Sequence, residues 1–365
     1  MVLEQTSSEN VPARRDLIAI VITAIVVRGV LFLVAAKLRG WTAADFANLR
    51  DGSSYLHLAE ALRGHASALT HFDRRVFVGF PSLIAVMSAF GVPLYAAALG
   101  INWVACGLSA ALVAILYHDS RLGWAMAFLT PSYLMYSALA MSESTLLLFS
   151  VGGLVAFFRD RSMFGGILLG VAGIIRPTAC FAVVGAAVAR IRQNWRATFM
   201  VCAVSGMVVV VSLLLMQLWS GDALQSIKIY SSDSSAYAGH PFALPFESLV
   251  MTPRRFNVPL WKTAYIWLHV AVTIIGCVLV VLDARRCLDP EERALARLNA
   301  GWLIGNTAFV LCIGHIWGFQ EFHRFILAAL PPLLWAYRRF YPQGLLQWSL
   351  PAAVSFAMAV IGVIR

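Results

Sequence analysis

Three carboxylates and four arginines are the residues of this chain whose types and positions could do chemistry. They are Asp51, Asp73 and Glu143, with Arg74, Arg75, Arg176 and Arg324. A carboxylate can take a proton from a hydroxyl, and guanidinium groups can hold phosphate oxygens in pairs. Gathered at one face of a membrane, these groups would be suited to moving a group off a lipid-borne phosphate.

Each of these residues also has an ordinary structural interpretation. Asp51 would serve as a helix N-cap, and Glu143 would face the positive end of a helix dipole, which is worth at most about 1 kcal/mol. Arg176 precedes Pro177 within an apolar stretch, so it would extend toward the membrane surface. His323 and Arg324 would be interfacial anchors. The chemistry therefore depends on whether these residues meet.

The composition places these residues in a membrane protein. Charged residues make up only 13% of the chain and hydrophobic residues 60%, whereas soluble domains carry roughly 25% charged residues. Apolar stretches long enough to cross about 30 Å of hydrocarbon recur throughout. The pattern predicts an all-α, polytopic transmembrane bundle of about 11 spans, after a disordered cytoplasmic tail at residues 1–15. The spans are expected at 16–37, 92–117, 122–140, 143–158, 164–190 (a bent pair), 197–219, 263–282, 296–314, 323–340 and 345–364.

The net charge of +10 follows the predicted topology and does not form a nucleic-acid-binding patch. Half of the 28 basic residues fall in short connections on one side of the predicted spans. This bias is typical of cytoplasmic loops. Two long loops, 38–91 and 220–262, are then expected outside, with an interfacial helix within 76–91. The predicted organisation is a catalytic module at 16–219, the outer loop 220–262 and C-terminal helices at 263–365.

The remaining composition favours no cofactor. None of the six cysteines lies in a predicted outer loop, so no disulfide is expected. No spacing suits a zinc site, and no glycine-rich phosphate loop follows a strand. The residues therefore indicate no cofactor, while a divalent metal is left open.

Several short motifs occur in a characteristic order. They are Asp51-x3-Tyr55-x3-Ala59, then Phe77-Val78-Gly79-Phe80-Pro81, Pro131 to Ser142-Glu143-Ser144, Arg159-Asp160-Arg161, Gly166 to Arg176-Pro177-Thr178, and Arg324 with Pro331-Pro332. This order resembles the GT-C superfamily of integral-membrane glycosyltransferases. The likeness is to the GPI mannosyltransferase branch that adds the second mannose (PIG-V-like), which has bacterial relatives. Val78 stands where that branch has a proline, and the resemblance covers most of residues 16–340.

The resemblance implies an inverting hexosyltransferase, such as a mannosyltransferase, with its active site on the outer face of a bacterial cytoplasmic membrane. The donor would be a polyprenyl-phosphate sugar and the acceptor a lipid, glycan or protein, with no nucleic-acid partner. Asp51 would be the catalytic base, with Asp73 and Glu143 as further catalytic candidates. Substrate-binding residues would be Tyr55, Arg74, Arg75, Arg176, His323 and Arg324.

Two alternatives from other classes stay open. A secondary transporter of a polar solute would also place ionisable residues in membrane helices, usually with internal repeats and broken helices near the midplane. No internal repeat is evident in this sequence. A non-catalytic polysaccharide-assembly subunit would keep the same fold without activity.

Overall fold

The computed structural model describes residues 12–64, 69–238, 242–343 and 345–364, which are helical and contain no strand. Residues 1–11 of the predicted tail lie outside this set, and Arg14 and Arg15 already belong to the first helix. The α-helices are α1 (Arg14–Arg39), α2 (Ala43–Ala47), α3 (Gly52–Leu62), α4 (His71–Arg75), α5 (Gly79–Ala89), α6 (Leu94–Tyr117), α7 (Ser120–Phe128), α8 (Pro131–Ala138), α9 (Glu143–Phe158), α10 (Ser162–Ile175), α11 (Cys180–Arg190), α12 (Trp195–Ser220), α13 (Gln225–Ala238), α14 (Glu247–Arg255), α15 (Leu260–Arg286), α16 (Pro290–Leu311), α17 (His315–Gln320), α18 (Phe322–Phe325), α19 (Leu330–Ala336) and α20 (Leu345–Ile364).

Five helices in the described residues are long and apolar enough to cross a membrane. They are α1, α6, α12, α15 and the 347–364 part of α20, and the bent pair of α8 and α9 would make a sixth. The count of about 11 spans is therefore not confirmed. The predicted spans 122–140 and 323–340 are each divided into shorter helices, and the predicted bent pair 164–190 is broken after Ile175, as expected. Prolines at 131 and 177 begin new helical segments there, because proline cannot continue a helix that would need its missing N–H.

The long helices surround a buried centre. Helix α6 is largely enclosed by α1, α7 and α9, whereas α12 presents most of its surface outward. Leu218 on α12 is 83% exposed, and Leu214 and Leu215 beside it are also exposed. A row of exposed leucines on a long helix fits contact with lipid better than contact with water. This arrangement is compatible with an integral membrane protein.

Glycines allow two pairs of helices to approach closely. A Cβ on Gly153 of α9 would lie 2.9 Å from the carbonyl oxygen of Gly165 on α10, and a Cβ on Gly185 of α11 would lie 2.6 Å from that of Leu298 on α16. Small residues are used in this way where helices pack without a hydrophobic driving force. These contacts hold α10 against α9 and α11 against α16, and they therefore fix the position of the break between α10 and α11.

The bend between α8 and α9 is stabilised from α6. The two helices meet at 107°, which leaves backbone carbonyls between them without helical partners. Asn102 Nδ2 donates hydrogen bonds to the carbonyls of Tyr136, Ser137 and Leu139, the last at 2.6 Å. Trp103 Nε1 donates to the carbonyl of Ala138 at 2.8 Å. Such partners make a bend tolerable in an apolar setting.

Arg28 occupies the middle of α1 and is completely buried. Its guanidinium donates to the Ser137 hydroxyl at 2.8 Å and to the carbonyl of Ala127 near the end of α7, and it lies over the ring of Tyr133. A cation at the C-terminal end of a helix satisfies carbonyls that lack intrahelical partners. Arg28 thus joins α1 to the two short helices that lead to the bend.

The segment 38–91 folds into short helices, and a second segment packs on it. Helix α5 has 11 residues, which is too short to span a membrane. Helix α13 contacts α4, and the Ser226 hydroxyl donates to the carbonyls of Arg74 and Val76. His71 Nε2 lies 2.8 Å from Asp233 Oδ1 across the same contact. The two predicted outer loops, 38–91 and 220–262, are therefore in contact with each other.

Candidate functional site

Asp51 is presented by a tight turn between α2 and α3. Arg50, just before it, adopts a left-handed backbone conformation with φ of 58°. Gly52, just after it, approaches the chain so closely that a Cβ would lie 2.0 Å from the carbonyl oxygen of Ala47. Only glycine fits such an approach. Local geometry therefore requires the glycine at position 52, whatever the chemistry of Asp51.

The Asp51 carboxylate does not cap the helix that it precedes. It stands at the N-cap position of α3 without a side-chain capping bond. Instead, Asp51 Oδ1 accepts a hydrogen bond from Arg75 Nη2 at 3.2 Å, and Oδ2 accepts one from Arg324 Nη1 at 2.7 Å. The ordinary N-cap interpretation is therefore wrong for this side chain.

Glu143 is the second carboxylate at this place. Its Oε1 lies 2.5 Å from Arg324 Nε and 3.1 Å from Arg176 Nη2, and its side chain is only 1% exposed. Arg176 Nε also donates to the Ser142 hydroxyl, which in turn lies 2.9 Å from the Tyr55 hydroxyl. We call Asp51, Glu143, Arg75, Arg176 and Arg324 the ion cluster.

Every member of the ion cluster stands at or beside the end of a helix. Asp51 precedes α3, Arg75 ends α4, and Glu143 begins α9 after the bend. Arg176 has an extended backbone between α10 and Pro177, and Arg324 lies in the single turn of α18. Breaks in helices thus bring together side chains from four distant parts of the chain.

The electrostatic environment keeps Asp51 ionised. Burial raises the pKa of Asp51, but the adjacent guanidiniums of Arg324 and Arg75 outweigh it and lower the pKa to about 2. Burial raises the pKa of the neighbouring Tyr55 hydroxyl, so that it stays protonated. The cluster therefore holds a negative Asp51 among cations, and a carboxylate with so low a pKa is a weak base while these partners remain.

Asp73 and Arg74 lie outside the ion cluster. Asp73 caps α4, with Oδ2 accepting bonds from the Thr70 backbone and hydroxyl, and Oδ1 lies 3.2 Å from His57 Nδ1. The side chain of Arg74 is exposed, one position before the buried Arg75. Consecutive helical residues point about 100° apart, so α4 can direct only one of the two arginines inward.

His323 lies next to the cluster within a group of aromatic rings. Its Nε2 is 3.2 Å from the Tyr136 hydroxyl, and its ring packs near His269 and Tyr265. The same Tyr136 hydroxyl donates to Glu321 Oε2 at 3.3 Å. His323 is therefore placed as a neighbour of Arg324 but does not contact the two carboxylates of the cluster.

Sequence reasoning missed two aromatic residues at the site. Tyr230 of α13 stacks on Phe77 and lies under the guanidinium of Arg75, 5.6 Å from ring centroid to Cζ. Tyr136 of α8 lies under Arg324 at 5.3 Å. Both make cation–π contacts. Tyr230 belongs to the predicted outer loop 220–262, but nothing in its sequence neighbourhood identifies it.

No group of three or more metal-ligating side chains is assembled anywhere in the described parts of the chain. Comparison with protein-family models, with curated proteins and with solved structures returns no match. The function must therefore be inferred from the chemistry of the ion cluster and its surroundings.

Proposed function

We propose that this protein transfers a sugar from a polyprenyl-phosphate donor to an acceptor hydroxyl at a membrane surface. The single observation that carries the proposal is the meeting of Asp51 and Glu143 with three arginines from separate parts of the chain. Isolated ionisable residues in an apolar protein are costly, and a group of five, four of them buried, points to a function. Carboxylates and guanidiniums together supply a base and a holder for phosphate.

An apolar groove beside the cluster supports a lipid donor. A cavity of about 650 Å³ lies between α10, α11 and α12. Its wall includes Val78, Ile174, Pro177, Val209 and Met216. The groove is also lined by Phe77, which stacks on Tyr230 beneath the guanidinium of Arg75, and Pro177 directly follows Arg176. A hydrocarbon chain in this groove would therefore end close to the ion cluster.

In the proposed reaction Asp51 takes the proton of the acceptor hydroxyl as the acceptor oxygen attacks the anomeric carbon. The bond from that carbon to the phosphate oxygen breaks, and the electron pair stays on the phosphate. The arginines stabilise the charge that develops on this leaving group, so little protonation of it is needed. Attack from the face opposite the leaving phosphate inverts the anomeric centre.

Glu143 has a supporting role in this proposal. Its shared oxygen holds the guanidiniums of Arg176 and Arg324 side by side, and it is more deeply buried than Asp51. A carboxylate that is only 1% exposed is poorly placed to reach an acceptor. Asp51, at the start of α3 and 17% exposed, is better placed.

The charge distribution supports an outward-facing site in a cytoplasmic membrane. The connections at 118–121, 159–163, 190–196, 283–297 and 338–344 are rich in arginine. If they face the cytoplasm, as the positive-inside bias indicates, the start of α9 and the ion cluster face the opposite side. A polyprenyl-phosphate sugar would then be used at the outer surface.

The test is to incubate the purified protein in lipid nanodiscs with a panel of polyprenyl-phosphate sugars and to follow release of polyprenyl phosphate. We expect turnover with at least one donor when an acceptor glycolipid or alcohol is present. Asp51→Asn should lower turnover by about two to four orders of magnitude, because it removes the base. Glu60→Gln, which removes one charge from the same helix α3, is the matched control and should keep turnover.

A secondary transporter is the second candidate, favoured by the broken helices. The 107° bend between α8 and α9 and the break at Pro177 put charged residues between helical segments, as transporters do at their binding sites. Vesicles containing the protein would then accumulate a polar solute without any chemical change in it. Donor consumption that depends on Asp51, without solute uptake, separates the two functions.

A further inference from the structure

The guanidiniums of the ion cluster already hold anionic partners. Arg324 donates from Nη1 to Asp51 and from Nε to Glu143, and Arg75 donates to the other oxygen of Asp51. Arginine binds carboxylate and phosphate oxygens through the same fork of donors. A phosphate that uses these donors must therefore share or replace a carboxylate.

The charges of the cluster are balanced, once the neighbouring Glu321 is counted, before any phosphate is added. Its three guanidiniums face Asp51, Glu143 and the nearby Glu321, whose Oε2 lies 3.8 Å from Arg324 Nη1. A phosphodiester adds a negative charge, and an uncompensated charge in a buried place is costly. One of the carboxylates must give way.

Asp51 is the carboxylate that can move. Glu143 is 1% exposed and is held between two guanidiniums by one oxygen. Asp51 is 17% exposed, stands at a helix start and makes no capping bond there. Arg324 also retains a buried donor, Nη2, with no hydrogen-bond partner among the described residues. The same guanidinium therefore carries the Nη1 donor that now binds Asp51 and the Nη2 donor that lacks a partner.

On the basis of the proposed function, we propose that Asp51 occupies the anion site at rest, and that the donor phosphate displaces it from Arg324 and Arg75. Displacement frees the carboxylate to act as a base. An acceptor that arrives without the donor meets a carboxylate still bound to two arginines, so proton transfer waits for the phosphate. Binding of the anion thereby controls the reactivity of the base.

The sugar transfer leaves the summed charge of Asp51 and the phosphate constant. Breaking the acceptor O–H bond moves a proton to Asp51, whose charge changes from −1 to 0. Breaking the bond between sugar and phosphate leaves its electrons on the phosphate, whose charge grows from −1 to −2. The total charge of base and phosphate is therefore unchanged by the transfer, and the dianionic product phosphate should hold the guanidiniums of Arg324 and Arg75 more strongly than the donor does.

The experiment compares the affinity of farnesyl monophosphate for the full-length protein and its variants in nanodiscs near pH 8, where a monoester with a second pKa of about 6 is dianionic. Although burial raises the pKa of Asp51, Arg324 and Arg75 lower it from 3.8 to about 2. A hydrogen bond between charged groups changes an equilibrium constant by roughly 10- to 100-fold. We therefore expect Asp51→Asn to bind the probe about 10- to 100-fold more tightly than the unmodified protein, because the competing carboxylate is gone.

Glu321→Gln is the matched control. It removes the same charge from a side chain of similar exposure near the same arginine, at 3.8 Å, which is beyond hydrogen-bond distance. We expect less than a threefold change in affinity for this variant. Binding of inorganic phosphate is measured in parallel. If the protein recognises the phosphate group, inorganic phosphate should bind more weakly than farnesyl monophosphate but rank the variants in the same order of affinity. Equal affinity of Asp51→Asn and the unmodified protein, or equal gains in both variants, would overturn the displacement.

The outcomes also separate this inference from the proposed function. One outcome would support the anion site but contradict the displacement of Asp51. In that outcome the unmodified protein binds the probe, Arg176→Ala loses binding, and Asp51→Asn binds no more tightly than the unmodified protein. If no form of the protein binds farnesyl monophosphate or inorganic phosphate, both proposals fail. The turnover of Asp51→Asn tests only the proposed function. It depends on the loss of the catalytic base, whereas probe affinity depends on competition between Asp51 and phosphate for the arginines.

Discussion

Replacing Glu143 by Gln tests whether the ion cluster is a buried network of charges. Glutamine keeps the size of the side chain and an oxygen that can accept hydrogen bonds, but it removes the charge shared by two guanidiniums. Those guanidiniums belong to Arg176 and Arg324, whose side chains are only 9% and 8% exposed. The variant would leave them close together without the anion that lies between them.

The structure sets the size of the expected effect. Removing one partner of a buried ion pair costs about 3–5 kcal/mol, because the remaining charge stays out of water without compensation. Glu143 lies 2.5 Å and 3.1 Å from its partners. Asp51 continues to neutralise Arg324 in the variant, so we expect the loss to fall near the lower end, about 3 kcal/mol of unfolding free energy.

The assay is unfolding in mixed micelles with increasing denaturing detergent, followed by tryptophan fluorescence. Glu292→Gln, on the exposed first turn of α16, is the control and should change stability by less than about 0.5 kcal/mol. Addition of farnesyl monophosphate should recover part of the loss in Glu143→Gln, because a ligand that binds only the folded state stabilises it. A loss below about 1 kcal/mol would refute the reasoning that Glu143 is an ionised, enclosed partner.

Three further predictions follow from other contacts. Burial raises the pKa of Asp51 and its two arginine partners lower it to about 2, so its contribution to stability should be complete above about pH 4 and lost as the pH falls through 2. Detergent unfolding between these pH values should show that dependence, and Asp51→Asn should weaken it. Asn102→Leu should cost about 1–3 kcal/mol in the same assay and lower turnover, because it leaves carbonyls at the bend before α9 unpaired. Gly79→Ala should reduce thermal stability, since its Cβ would lie 2.7 Å from the α10 backbone, whereas Gly100→Ala, with open space around it, should be neutral or slightly stabilising.

The long apolar helices and the break at Pro177 could be predicted from sequence, while the contacts that support the bend between α8 and α9 could not. The predicted spans 16–37, 92–117, 197–219, 263–282 and 345–364 correspond to α1, α6, α12, α15 and α20. Hydropathy reports composition averaged along the chain, so it found these easily. It does not report where backbone carbonyls find partners. The bend before Glu143 depends on Asn102, which is 41 positions away in sequence, and no local pattern reveals that contact.

The site could be predicted in part for a related reason. Asp51, Glu143, Arg176 and Arg324 were expected on one face of the membrane, and the structure brings them into direct contact. The choice between Arg74 and Arg75 required the orientation of α4, a helix of 5 residues whose pattern is too short to show a buried face. Tyr230 contacts Arg75 only because α13 folds back across α4, which is a tertiary contact.

The positions of the cluster residues along the chain have a consequence for the synthesis of the protein. Arg324 contacts Asp51 across 273 positions and Glu143 across 181. Synthesis runs from the N-terminus, so both carboxylates are made long before the guanidinium that joins them. Until then Glu143 can pair with Arg176 alone, and the α3 end of the site lacks its strongest contact. The late synthesis of α18 therefore completes the site, and a chain stopped before it would leave Asp51 with Arg75 alone and Glu143 with Arg176 alone among the arginines of the ion cluster.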